Sequence, residues 1–200
     1  RGTSYETGLS FDNDVDSAQM SLFLLNLRDE IAFDPYQTPD NPFGTNRNLS
    51  PTRRYGVTLS GKKNLTHGFT TDGQVNYVHA RFEGGRNAGK HIPLVSEMIA
   101  RCGLSYKLTR SWILYGEIIF TGKQFPANDD GNITGGQGGY AIYNFNIRYH
   151  YQSFSAALRI NNISNKDYYL YSVYSSNSVS EFFYPAPERN VTLSLHYDFV

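Results

Sequence analysis

Apolar and polar residues alternate without a break along the last stretch of the chain. The apolar positions are Val191, Leu193, Leu195, Tyr197 and Phe199, and between them lie Thr192, Ser194, His196 and Asp198. Because successive side chains of a strand point to opposite faces, this pattern predicts a strand with one apolar and one polar face. The apolar face would be buried in a soluble β-sandwich, or would face lipid in a transmembrane β-barrel with a polar lumen. The aromatic residue at the end of this strand favours the barrel.

Eight further segments of the chain are predicted to be strands. They cover residues 5–11, 18–31, 54–62, 70–82, 98–108, 112–121, 140–151 and 154–163. The clearest alternation is in 140–151, where Phe145 and Ile147 are separated by Asn146 and followed by Arg148. The chain as a whole, residues 1–200, is therefore predicted to be one all-β domain of about nine antiparallel strands.

The connections between these strands alternate in length. Short turns fall at residues 12–16, 64–68, 109–110 and 152–153, whereas polar stretches rich in Gly, Pro and Asn fall at 34–52, 83–90, 122–139 and 165–189. Short turns at one end and long loops at the other are typical of outer-membrane barrels, in which the turns are periplasmic and the loops extracellular. A sandwich gives no reason for this segregation.

Composition is compatible with a barrel and excludes some other classes. The formal net charge is zero, with 18 basic and 18 acidic residues, so nucleic acid is not expected as a partner. The longest apolar run, Leu22–Leu25, is far too short for a membrane-spanning helix. Tyr and Phe are abundant, at 16 and 13 residues, and many of them flank the short turns, where an aromatic girdle would meet the membrane interface.

Four short motifs occur along the chain in a recognisable order. They are Ser4-Tyr5-Glu6-Thr7-Gly8, Ile92-Pro93-Leu94-Val95, Asn161-Asn162-Ile163-Ser164-Asn165-Lys166-Asp167-Tyr168-Tyr169 and Pro185-Ala186-Pro187-Glu188-Arg189-Asn190. Together they resemble the barrel motifs of TonB-dependent outer-membrane receptors. The chain departs from that pattern at Glu188, where the family usually has Gly before Arg, and at Val200, which follows the aromatic residue that usually comes last.

The resemblance implies a 22-stranded antiparallel transmembrane barrel of which this chain supplies the C-terminal part. The plug domain and the N-terminal region that engages TonB would then lie outside the chain. Strands 5–11 and 191–199 would be the open edges of the fragment, and we expect them to pair with strands that it lacks, because unpaired backbone is costly in lipid. Expressed alone, the fragment should aggregate or pair its edges with another copy.

No enzyme active site is predicted from the residues present. The five histidines are scattered, no nucleophile motif is present, and the single Cys102 allows neither a disulfide nor a metal cluster. The acidic stretches 12–16 and 128–132 are predicted to be turns, because Asp and Asn side chains cap their own backbone. We therefore expect no catalytic residues, no resident metal and no cofactor.

Candidate ligand contacts lie in the long loops, where a rigid scaffold commonly presents binding residues. The aromatic and arginine side chains there are Tyr36, Phe43, Arg47, Arg86, Phe125, Tyr171, Tyr174, Phe182 and Phe183. Aromatic faces and guanidinium groups suit an anionic, aromatic iron chelate. For any single residue, packing between loops explains its presence equally well.

The predicted function is TonB-dependent uptake of a ferric siderophore through the bacterial outer membrane. Uptake of cobalamin, haem or a glycan remains open at this point. From a different class, a soluble secreted β-sandwich that binds carbohydrate would use the same exposed aromatic residues. Detergent dependence separates these hypotheses, since only a lipid-facing surface requires it.

Overall fold

Thirteen β-strands and two short 3₁₀ turns form in the residues that the computed structural model describes, which are 1–34 and 42–199. The strands are β1 (Gly2–Asp12), β2 (Ser17–Leu27), β3 (Ile31–Asp34), β4 (Thr45–Asn48), β5 (Thr52–Asn64), β6 (Phe69–Phe82), β7 (Met98–Lys107), β8 (Trp112–Thr121), β9 (Tyr140–Tyr151), β10 (Phe154–Asn161), β11 (Tyr169–Ser175), β12 (Ser180–Pro185) and β13 (Asn190–Tyr197). The 3₁₀ turns are Thr66–Gly68 and Gly85–Asn87. Neither turn is long or apolar enough to cross a membrane, and the described residues contain no other helix.

Nine of these strands form one antiparallel sheet in the order β1-β2-β5-β6-β7-β8-β9-β10-β13. The edges are β1 and β13, as the sequence predicts. The other four strands form two separate hairpins, β3–β4 and β11–β12, in the long connections. Within the described residues the prediction of nine antiparallel strands, with short turns at one end and long loops at the other, is confirmed.

Register places the alternating apolar residues of the nine strands on the same face of the sheet, here called the outward face. One row of directly paired residues runs Leu9, Met20, Leu59, Val75, Ala100, Phe120 and Ala141. This face remains uncovered: Leu193 and Leu195 are each 64% exposed. A sandwich needs a second sheet over the apolar face, and the described part of the chain supplies none, so the sandwich hypothesis finds no support.

The opposite, inner face is polar and carries its own ion pairs. Arg101 of β7 contacts Asp72 of β6 at 2.6 Å and Glu117 of β8 at 3.3 Å. Asn144 of β9 donates to the other oxygen of Glu117 at 2.9 Å. Charged groups that bond across three strands are suited to a wet lumen and would be costly in lipid.

Aromatic rings line the turn end of the outward face. Phe69 stacks on Tyr106 at 4.3 Å between ring centroids, and Trp112 packs on Tyr149 at 4.7 Å. Tyr149 continues to Phe154 at 6.2 Å on the next strand. These two groups of rings lie where the sequence predicts an interfacial girdle.

The predicted strand over residues 18–31 is wrong at its C-terminal end, because β2 ends at Leu27. Asp29 adopts φ 58°, a left-handed conformation that short polar residues tolerate and that ends an extended strand. Ile31 then begins β3, which pairs with β4 from Ile31↔Asn48 to Asp34↔Thr45. The stretch 165–189, predicted as a loop, contains the β11–β12 hairpin, and the stretch 34–52 contains β4 and the last residue of β3.

Two of the sequence motifs meet at the loop ends of β10 and β13. The Asn162 side chain accepts a bond from the Lys166 amide at 2.8 Å and donates to the Lys166 carbonyl at 2.9 Å. Asn165 in turn accepts from the amide of Arg189 at 2.9 Å. The two motifs thus bind to each other and hold together the two ends of the long connection that contains β11 and β12.

Asn162→Ala should destabilise the hydrogen-bonded contact between the ends of the connection that contains β11 and β12. Asn162 is 2% exposed, and the substitution removes both hydrogen bonds from its buried side chain to the Lys166 backbone, at a cost of about 1–3 kcal/mol. Hydrogen exchange of the full-length receptor should show faster exchange at the amides of Lys166 and Arg189. Asn161→Ala is the control, because its exposed side chain bonds only to Asn190. Unchanged protection in Asn162→Ala would contradict this role.

Candidate functional site

The long connections converge on a cavity of about 520 Å³ at the loop end of the sheet. Its lining includes Asp34, Arg47, Arg86, Asn87, Asn128, Asp129, Asp130, Ile133 and Tyr174. These residues come from the β3–β4 hairpin, the β6–β7 loop, the β8–β9 loop and β11. Four segments that are distant in sequence therefore build one site.

Arg47 joins two of these segments through its guanidinium group. It pairs with Asp34 across the β3–β4 hairpin at 3.4 Å and with Asp130 of the β8–β9 loop through a short contact. Both carboxylates thus offset the charge of Arg47. Its main role in the described structure is to hold the loops together.

Asp129 is buried, at 1% exposure, and organises the turn beneath the cavity. Its carboxylate accepts bonds from the Ile133 amide at 2.7 Å, the Thr134 amide at 3.1 Å and the Thr134 hydroxyl at 2.7 Å. Three donors compensate the buried charge. The prediction that residues 128–132 form a turn is confirmed.

Hydrogen bonds tie the neighbouring loops to this turn. Ala127 bridges to β11, donating to the Ser172 carbonyl at 2.8 Å and accepting from the Tyr174 amide at 2.9 Å. The Asn132 side chain accepts from the His91 amide at 2.6 Å and donates to the His91 carbonyl at 3.0 Å. The cavity walls are therefore fixed to one another.

Arg86 and Tyr174 are the groups in the cavity best placed to hold a ligand. Arg86 is exposed, and within the described residues its side chain makes no ion pair or hydrogen bond. Tyr174 is 8% exposed and presents an aromatic ring in the wall. A free guanidinium near an aromatic surface can bind an oxygen-rich anionic group by paired hydrogen bonds and by stacking.

The remaining candidate residues are spread over the loops. Tyr36 lies outside the described residues, and Phe43 is 87% exposed next to the β3–β4 hairpin. Phe125 packs on His91, with ring centroids 5.2 Å apart. Tyr171 stacks on Tyr184 at 4.3 Å, and Phe182 is 55% exposed on the same face of the β11–β12 hairpin. The structure thus brings Arg47, Arg86 and Tyr174 together, and the other candidates within the described residues do not line the cavity.

The acidic lining was missed by sequence reasoning. Asp34 and Asp130 reach Arg47 only through the folded arrangement, since Asp130 lies 83 positions along the chain from Arg47. The sequence shows two adjacent aspartates in residues 128–132, but this pattern predicts a turn and gives no indication of a cavity. Among the described residues, no group of three His, Cys, Asp or Glu side chains could hold a metal ion.

His91 joins the β6–β7 loop to Asn132 of the β8–β9 loop, and it should make this contact between the two loops sensitive to acid. Burial lowers the pKa of His91 below 6.5; Arg81 lowers it further, as do His79 and Lys123 to a smaller extent, and Glu97 opposes them. When the two loops separate, His91 binds a proton more readily than in the folded structure. The contact between the loops is therefore fully stable above pH 6.5 and weakens as the pH falls below it.

Hydrogen exchange measured above and below pH 6.5, corrected for the intrinsic rate, tests this expectation. The Leu94 amide, bonded to the Phe125 carbonyl at 2.9 Å, should lose protection in acid. His91→Gln should remove the dependence. Protection that is constant or rises in acid would contradict the lowered pKa.

Comparison with known proteins identifies similar barrels. The family model described as TonB dependent receptor-like, beta-barrel matches residues 1–163. Comparison with curated protein sequences gives no match.

Solved structures extend the likeness to the whole chain. The ferric yersiniabactin uptake receptor FyuA from Yersinia pestis is 18% identical, with a TM-score of 0.81 over 100% of this chain and 30% of that chain. The copper transporter OprC is 19% identical, with a TM-score of 0.79 over 99% of this chain and 31% of that one. The ferric citrate transporter FecA, unliganded, is 19% identical, with a TM-score of 0.77 over 99% and 31%. The chain thus has the fold of these proteins and spans about 30% of their length.

Proposed function

Because this chain belongs to the family of TonB-dependent receptor β-barrels, we propose that it forms the C-terminal part of a receptor that takes up a ferric siderophore. Proteins of this family reside in the outer membrane of Gram-negative bacteria, so the outward face contacts lipid and the long loops face the exterior. The family consists of receptors and not of enzymes. TonB would engage a region outside residues 1–200.

The cavity between the extracellular loops carries this proposal. It is lined by both Arg86 and Tyr174, and hydrogen bonds of Asp129 and Asn132 hold the loops around it together. Siderophores offer oxygen-rich and often aromatic surfaces that match these two groups. Two of the similar structures, FyuA and FecA, are by name transporters of ferric chelates.

A deletion strain tests the proposed function. Cells that lack the full-length receptor, supplied with one ferric chelate at a time as the iron source, should fail to grow on at least one of them. Reintroducing the receptor should restore growth. Undiminished uptake of every ferric chelate tested would contradict siderophore transport.

Arg86→Gln should weaken binding of that chelate to the purified full-length receptor. Loss of one charge-assisted hydrogen bond costs about 1.5–3 kcal/mol, which corresponds to a rise in Kd of about tenfold or more. Arg110→Gln is the matched control, since Arg110 is an exposed arginine at the opposite end of the sheet, between β7 and β8. An equal Kd for both variants, measured by fluorescence quenching, would show that Arg86 does not contact the ligand.

A further inference from the structure

A second cleft lies on the outward face, at the loop end of β1, β2 and β5. Its volume is about 560 Å³, and its lining includes Arg1, Thr3, Asn26, Arg28, Arg53 and Glu83. Register puts Thr3 opposite Asn26 and Asn26 opposite Arg53, so these three side chains form one outward-facing row. The cleft is thus on the lipid side of the sheet wall, away from the cavity between the loops.

The cleft is positively charged. Three arginine side chains face one carboxylate, that of Glu83, which Arg53 contacts at 3.5 Å. Arg53 also donates to Asn26 at 3.0 Å, whereas the side chains of Arg1 and Arg28 make no ion pair within the described residues. The next outward residue in the row is Arg81, directly opposite Arg53 on β6. Arg81 pairs with Glu97 at 3.4 Å, as Arg53 does with Glu83, so Arg1 and Arg28 supply the uncompensated positive charge of the cleft.

The height of the cleft matches the level of lipid headgroups. The Phe69–Tyr106 stack marks the turn end of the outward face, and a strand tilted by about 45° climbs about 2.4 Å per residue. On β5, which lines the cleft, Arg53 lies 11 residues from Asn64 at the turn end of the strand and therefore about 26 Å above it, at the limit of an apolar band of about 25 Å. The rings of Tyr55 and His79, tilted to each other with centroids 4.9 Å apart, lie one outward position below Arg53 and Arg81.

We propose that this cleft binds a phosphate-bearing headgroup of a lipid in the outer leaflet. Arginine guanidinium groups match phosphate oxygens with two parallel hydrogen bonds, and basic pockets at the membrane surface select anionic headgroups. The three arginines supply the charge, and Asn26 and Thr3 supply polar side chains at the cleft wall.

A lipid, and not a free phosphate ion, is the proposed source because an apolar groove lies below the cleft on the same strands. The groove has a volume of about 660 Å³ and is flanked by Leu9, Met20 and Leu59. Its floor is a row of small paired residues, Ala18, Gly61, Gly73 and Cys102. A lipid whose phosphate occupies the cleft can lay an acyl chain over these strands toward the groove.

Native mass spectrometry of the full-length receptor in a neutral detergent tests the proposal. The probes are bisphosphorylated lipid A and the same lipid without its phosphates, and the variant is Arg28→Gln with Arg53→Gln. Each arginine near the surface is worth about 1 kcal/mol toward an anionic headgroup, so the double variant should bind the phosphorylated probe about 30-fold more weakly.

Two matched variants make the outcome decisive. Arg148→Gln with Arg159→Gln removes the same charge from the inner face and should bind like the unmodified receptor. Arg28→Lys with Arg53→Lys should retain most of the binding. This result would show that the positive charge, and not a change in the fold, accounts for the loss of binding in the glutamine variant. Equal binding of both probes, an equal loss in the inner-face variant, or displacement of the lipid by an equal concentration of inorganic phosphate would overturn the proposal.

Discussion

Leu193→Arg is expected to destabilise the assembled full-length barrel by about 2–4 kcal/mol, because it places a charge in the lipid near the middle of the bilayer. Leu193 is on the outward face of β13, paired with Leu158, and is 64% exposed. The neighbouring change Ser194→Arg is the control. Ser194 pairs with Ala157 on the inner, polar face, where an arginine remains in water and should cost little.

Urea unfolding in detergent micelles, followed by the heat-dependent gel shift of the folded barrel, measures both variants. The expected result is a lower midpoint for Leu193→Arg only. Equal tolerance of arginine at the two positions would contradict both the register of β13 and the contact of its outward face with lipid.

Gly56→Val is expected to have an effect of similar size, of about 3 kcal/mol, for a steric reason. A β-carbon at position 56 would overlap the backbone oxygen of Tyr77 and approach the Phe23 ring to 2.9 Å. Phe23 lies directly opposite Gly56 on β2, so its ring covers the glycine and leaves no room for a side chain. A substitution must therefore move the backbone of β5 away from β6.

Gly116→Ala is the matched control for this prediction. Gly116 is also a strand glycine, but the nearest atom to an added β-carbon is in the Phe145 ring at 4.0 Å. The change should alter the free energy of unfolding by less than about 0.5 kcal/mol. If Gly56→Val folds as stably as Gly116→Ala, the close approach of Phe23 to β5 is wrong.

The nine sheet strands could be predicted from sequence because the alternation that marks them is a local property. The alternating apolar side chains of β9 at Tyr143, Phe145, Ile147 and Tyr149 face outward whichever strand lies beside them. The two hairpins were missed for the opposite reason. β11 shows no clean alternation, and it is held in place by Ala127, which lies more than 40 positions earlier in the chain.

The candidate site could be predicted only in part. Residue type and loop position were enough to select Arg47, Arg86 and Tyr174, which the structure places around one cavity. They were not enough to show that Asp34 and Asp130 already engage Arg47, which makes Arg86 the better candidate for ligand contact. That distinction depends on long-range ion pairs, and no local pattern in the sequence encodes these.

Selective cysteine labelling of the full-length receptor in intact cells tests most directly whether this chain is a lipid-embedded barrel wall with its long loops outside. Three positions are compared: the native Cys102 on the outward face, Ser105→Cys on the inner face, and Val179→Cys at the tip of the β11–β12 hairpin, where Val179 is 77% exposed. A membrane-impermeant maleimide should label position 179 readily, whereas Cys102 should react only with a lipid-soluble maleimide. Ser105→Cys, tested together with Cys102→Ala so that position 105 carries the single thiol of residues 1–200, faces the lumen and should resist the lipid-soluble reagent. Rapid labelling of Cys102 by the impermeant reagent, or protection of position 179 in intact cells, would contradict the account.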